Sequence, residues 1–174
     1  MGPRDLRERD GTKSVIRIAA VAACLVLLAG QAVAECAPDR VDLRQDGTKV
    51  RFTVELAIAQ EEQRQGLMFR ESMPMLSGML FLYDQPQPVA FWMKNTLIPL
   101  DMLFIDQHGV VQKIAENTTP RSTEGIFGGD NIQAVLEING GLSAELGLGP
   151  GAELRHPALD QGLTNWSCEA ECFL

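Results

Sequence analysis

The sequence predicts an α+β domain dominated by an antiparallel or mixed β-sheet, curled toward a barrel and accompanied by two short helices. Three observations lead there. Six or seven short segments carry strand signals, separated by turns rich in Gly, Pro, Asn and Asp. Only two segments carry helical signals. The β-α-β alternation of a doubly wound sheet is missing, and with it the usual nucleotide crevice.

Taken in order, Val41–Arg44 and Lys49–Ile58 alternate polar with apolar residues around Asp46-Gly47, which predicts a hairpin. Residues 59–65 have Glu61 and Glu62 in the first turn, Arg64 in the last and Gly66 just beyond, the charge pattern and stop of a short helix. A loop over residues 71–78 follows, with Pro74, Ser77 and Gly78. Strand signals recur at Met79–Tyr83, Val89–Asn95, Leu100–Ile105 and Val110–Glu116, broken by Pro86 and Pro88, by Thr96–Pro99 and by His108-Gly109. Residues 117–131 read as an irregular loop, and Ala134–Ile138 as a further strand. Leu142 and Leu146 lie four apart between Gly141 and Gly147, the spacing of a one- or two-turn helix, and Ala152–Arg155 reads as a last short strand.

The N-terminus has the layout of a secretory signal peptide: Arg4, Arg7, Arg9, Lys13 and Arg17, then an apolar run over 18–30, then Ala32-Val33-Ala34. That run is short against the roughly 20 residues of a membrane helix. Three segments are therefore expected: a signal peptide over 1–34, a β-rich domain over 35–156 and a tail over 157–174. Periplasmic or secreted localisation follows, with no stable membrane span once the signal is cleaved; an uncleaved anchor is the alternative. The whole chain carries 15 basic and 23 acidic residues; the signal removes five basic and three acidic, leaving a mature net charge of −10. Such acidity argues against nucleic acid and anionic membranes as partners. A monomer without a cofactor is expected.

Cys36, Cys168 and Cys172 remain after cleavage, an odd number in an oxidising compartment. One disulfide joining Cys36 to Cys168 or Cys172 is expected, with a local Cys168–Cys172 bridge as the competing pairing. With only His108 and His156 as further soft ligands, no zinc site is expected.

At Gly66–Arg70, Gly78–Phe81, Phe91–Thr96, Ile98–Asp101, Phe104–Asp106 and Ala134–Gly141 the chain closely resembles the family catalogued as domain of unknown function 192. The likeness covers roughly residues 41–156. It implies a small, mainly β domain of a kind often found in exported bacterial and archaeal proteins. It brings no activity, cofactor or catalytic residue with it, and the tail from Pro157 lies outside its pattern.

The segment Phe91–Asp106 sets Lys94, Asn95 and Asp101 in an apolar run. A buried carboxylate needs a partner. A hairpin about Thr96–Pro99 would put Lys94 opposite Asp101, with Asn95 capping the turn and Arg70 arriving from the first helix. The cluster then either pins the register of the sheet or forms a polar ligand site flanked by Trp92. The expected function is a non-enzymatic, exported binding or accessory domain using Arg70, Trp92, Lys94, Asn95 and Asp101 for a small molecule or envelope component. Two alternatives stand beside it. One is an envelope enzyme with Asp101 as acid or base. The other is a copper(I)-handling protein using Met73 and Met75, two of six methionines between Met68 and Met102; core filling is the commoner use of methionine. No nucleophile–base pairing is suggested, and Gly125–Gly129 lacks the Lys-Ser/Thr of a phosphate loop.

Overall fold

The computed structural model describes Gly2 and residues 36–168. The rest of the expected signal peptide and Cys172 lie outside the described residues. The predicted hairpin is present: β1 (Arg40–Gln45) pairs antiparallel with β2 (Thr48–Ala57). Asp46 and Gly47 both have positive φ, 47° and 86°, as a two-residue turn matched to strand twist requires. Helix α1 (Gln60–Gln65) follows. The Glu62 carboxylate accepts hydrogen bonds from the N–H groups of Ile58 and Ala59 at 3.0 and 2.9 Å, which satisfies donors that a helix start leaves unpaired.

The next strand corrects the sequence expectation. Met79–Tyr83 and Val89–Asn95 belong largely to one strand, β3 (Ser77–Phe91), and the chain leaves the sheet at Trp92. Strand β2 pairs with β3, in parallel, only from Ser77 to Phe81. Pro86 and Pro88 therefore lie where that side of the ladder is empty, and their missing N–H groups cost it nothing. The remaining elements are β4 (Leu100–Ile105), β5 (Val111–Ala115), β6 (Ile126–Asn139), helix α2 (Leu142–Glu145) and β7 (Glu153–Arg155). The loop expected up to residue 131 ends early, because β6 already begins at Ile126. A Cβ on Gly128 would stand 2.0 Å from the Phe104 ring. The glycine serves close packing within a strand rather than a turn.

The sheet order is β5-β4-β6-β3-β2-β1-β7, with every pair except β2–β3 antiparallel. The sheet curls as a half-barrel, and its two edges meet at a bridge between Val110 and Glu153. Because side chains alternate along a strand, the central strands bury both faces. Leu80, Leu103, Leu136 and Ile138 point into one core; Met79, Phe81, Met102, Phe104 and Val135 point into the other, beneath Leu67 and Met93.

The tail beyond the family region closes over β1. Cys36 is bonded to Cys168, the long-range alternative among the expected pairings. Trp166, 3% exposed, lies with the guanidinium groups of Arg155 and Arg44 at 4.4 and 4.6 Å from its ring. Asp42 accepts from Arg51 at 2.6 Å and from Arg155 at 2.9 Å, which fixes β1 to its two neighbours.

Candidate functional site

A cleft of about 440 Å³ opens where α1 and its exit pass across the outer face of β3 and β6. Its size suits a small ligand. Phe81, Tyr83, Phe91 and Trp92 supply aromatic walls, and Gln65, Asn95, Arg64 and Lys94 supply polar groups around them. Phe91 stands edge-on to Phe81, ring centroids 4.9 Å apart. Trp92 is about half exposed, and the Lys94 ammonium lies 5.0 Å from its ring centroid. The wall is held by two left-handed residues: Phe69 (φ 64°) donates its N–H to the carbonyl of Asn95 (φ 58°) at 2.9 Å. A bulky side chain such as Phe69 pays for that conformation with backbone strain.

The floor of the cleft carries Glu137, which sequence reasoning passed over. Glu137 stands in β6 between Met79 of β3 and Met102 of β4, on the outer face, and is 4% exposed. Neither neighbour offers a strong donor. No hydrogen bond or ion pair reaches its carboxyl from the described residues, and its oxygens keep contact with the solvent of the cleft. Burial pushes its pKa up to about 8, so the acid is largely protonated at neutral pH. Tyr83 is pushed up to about 12 by burial and by the charge Glu137 would carry. A Cβ on Gly66, which has φ 47°, would stand 3.1 Å from the Phe81 ring and 4.0 Å from Glu137 Oε2. The helix stop thus also keeps space open beside the acid. A usable signal existed in the sequence: Glu137 interrupts the apolar run Ala134–Ile138 as Asp101 interrupts its own.

Of the expected site residues, Trp92, Lys94 and Asn95 line this cleft, while Arg70 and Asp101 do not. Arg70 makes a bidentate pair with Glu55 of β2, at 2.5 and 2.6 Å. The expected Lys94–Asp101 pair is absent, because β3 and β4 are separated in the sheet by β6 and form no hairpin. Asp101 is fully buried, and its partners are elsewhere: its Oδ1 accepts from the N–H groups of Asn117 (2.6 Å) and Gly141 (2.7 Å). Its Oδ2 accepts from the N–H (2.8 Å) and the hydroxyl (2.6 Å) of Ser143. Four donors saturate it, and it joins β4 to the start of α2. Among the methionines, Met79, Met93 and Met102 are buried in the outer core and Met73 packs against it, whereas Met75 is exposed.

The profile of the family domain of unknown function 192, described as uncharacterized ACR, matches residues 41–156, and the chain belongs to that family. The fold is shared with two crystal structures. One is a Sinorhizobium meliloti protein described as a candidate transcription regulator: 42% identical, TM-score 0.66, covering 69% of this chain and 94% of that one. The other is a Novosphingobium aromaticivorans protein of unknown function: 40% identical, TM-score 0.65, covering 66% of this chain and 82% of that one. No curated protein matches the chain significantly.

Proposed function

We propose that this chain is an exported binding domain that holds a small ligand in the cleft over Glu137, with Trp92, Lys94 and Asn95 at its wall and rim. One observation carries the reading: a carboxyl on a buried side chain, with no hydrogen-bond or ion-pair partner among the described residues, opens on an aromatic-walled cleft. Without a ligand such a group has only the water of the cleft as partner. A ligand is the partner the cleft has room for. Export rests on the signal-like N-terminus and on the Cys36–Cys168 disulfide, which suits an oxidising compartment. Of the described residues, no helix is long and apolar enough to cross a membrane.

Binding is favoured over catalysis because Glu137 is the sole carboxylate among the residues lining the cleft, and no His, Ser or Cys lines it. An enzymatic role would rest on Glu137 as acid, Asp101 being saturated. The role attached to the Sinorhizobium protein finds little support in a chain with net charge −8. Fragment screening by two-dimensional NMR tests the proposal. Hits are expected to move the amide signals of residues 65–68, 91–96 and 137. A library whose hits all perturb other surfaces, or none, counts against it.

A further inference from the structure

The chemistry around Glu137 narrows the ligand class, and the narrowing rests on the binding role proposed for the cleft. Two flanking methionines leave the carboxyl without a local donor. Four aromatic side chains surround the approach to it. A buried acid among aromatic rings suits an ammonium group, which gains a charge-assisted hydrogen bond from one and cation–π attraction from the others. The rim has the opposite polarity. Arg64 from α1 reaches the cleft and, among the described residues, holds only an exposed contact with Glu61 at 3.6 Å, and Lys94 is engaged by the Trp92 ring. Two cations at the mouth and one acid at the floor make a polarised cleft.

We propose that the ligand is a zwitterion of the amino-acid or short-peptide class, its ammonium seated against Glu137 and its carboxylate at the rim with Arg64 and Lys94. Binding then converts the Glu137 carboxylic acid to carboxylate, with its proton released to solvent and the ligand's ammonium left charged. The titratable and charged groups facing Glu137 are Arg64 from α1, Tyr83 from β3 and Lys94 from the segment after β3. Tyr83, its pKa pushed up to about 12, stays neutral across the relevant range. The pH dependence therefore belongs to Glu137. Below about pH 8 each pH unit removes about nine-tenths of the ionised acid, so affinity should fall about tenfold per unit on acidification.

The test is calorimetric titration of the mature protein with free α-amino acids and unblocked dipeptides, each beside its N-acetylated and its carboxyl-amidated form. Simple sugars and monocarboxylic acids form a second arm, followed by the same NMR signals. Unblocked ligands are expected to bind about a hundredfold more tightly at about pH 7.5 than at about pH 5.5. Buffers of different ionisation enthalpy should report nearly one proton released. N-acetylation should abolish binding, and amidation should weaken it about tenfold. Glu137→Gln should lose most of the affinity and all of the pH dependence while melting no lower than the wild type, and Lys94→Met should weaken only ligands with a free carboxylate. Affinity that is flat below pH 8 and lost above it would mean that the neutral acid donates to the ligand, which overturns the inference. So would equal binding of acetylated forms, or binding in the second arm alone; in both cases the cleft remains a binding site. Silence in both arms removes the inference and the proposed function together.

Discussion

Asp101 and Glu137 are both buried carboxyls in neighbouring strands of one sheet, one residue out of register, so they face opposite sides of it. Asp101 has four donors between 2.6 and 2.8 Å. Glu137 has none among the described residues, and its pKa is pushed up to about 8 by burial alone. Burial of an acid therefore says little about its role until its partners are counted. Asp101 is spent on architecture: it collects N–H groups from the strand-exit loop and from the start of α2. Glu137 is unspent, and it alone of the two opens on a cleft.

The largest expected effect comes from breaking the saturated member. Asp101→Ala orphans four donors at about 1–3 kcal/mol each, for a loss of about 5 kcal/mol or more, comparable with the whole stability of a small domain. Since that variant is expected not to fold, Asp101→Asn serves as the measurable form. It keeps the shape but sets an amide N–H₂ against existing donors, and a loss of about 3 kcal/mol by urea unfolding is expected. A loss under about 1 kcal/mol would refute the four-donor account.

Next in size is the pH dependence that Glu137 imposes. Its folded pKa of about 8 lies above the ordinary 4.5, so the folded state holds a proton that the unfolded chain has lost throughout that window. Its stabilising effect is complete below about pH 4.5 and disappears as pH rises through 8. At about 1.4 kcal/mol per pH unit the ceiling is roughly 5 kcal/mol. Water in the open cleft solvates part of the ionised form, and a loss of about 2–3 kcal/mol between pH 5 and 8 is expected. Glu137→Gln should abolish that loss and leave the opposite slope of His156, whose pKa burial lowers, and Glu137→Met should raise stability at pH 7 by about 1 kcal/mol, the usual result of removing an unsatisfied functional group. The lowered pKa values of Asp42 and Glu55 act in the opposite sense and at lower pH. Desolvation of Asp42 is outweighed by hydrogen bonds from Arg51 and Arg155, and Glu55 is held down by Arg70. Both stabilise above their unfolded pKa and lose that effect as pH falls below about 4. Parallel wild-type and Glu137→Gln profiles from pH 5 to 8 would refute the raised pKa of Glu137.

What was legible in the sequence divides along the same line, between local and non-local chemistry. The β1–β2 hairpin and α1 follow from short-range signals, Asp46-Gly47 and Glu61/Glu62 before Gly66. The need for Asp101 to be paired was equally visible. Its partners were not, because Gly141 and Ser143 lie about forty residues away and are brought in by the β4–β6 pairing. The proline-bearing stretch of β3 and the glycines of β6 were misread for one reason. A proline is harmless where a neighbouring strand has ended, and a glycine is needed where Phe104 presses on the backbone, and both conditions are set by other strands. The cleft was half legible: Trp92, Lys94 and Asn95 came from one segment, while α1 and Glu137 reach it only through the sheet order.

The smallest expected effect sharpens the comparison by testing the local pairing directly. A hairpin carrying Lys94 opposite Asp101 would make Lys94→Met costly, since the remaining carboxylate would be buried without its counter-charge. In the observed fold Lys94 is exposed over Trp92, and Asp101 is sealed on the other face by backbone N–H groups and Ser143. Lys94→Met should therefore change stability by less than about 0.5 kcal/mol, as surface substitutions do. In a cycle with Asp101→Asn the two effects should add to within about 0.3–0.5 kcal/mol, since the residues share no partner among the described residues. Chemical unfolding of the two single variants and the double variant measures the coupling. A coupling above about 1 kcal/mol would restore the ion pair, and it would make Asp101 rather than Glu137 the acid to pursue.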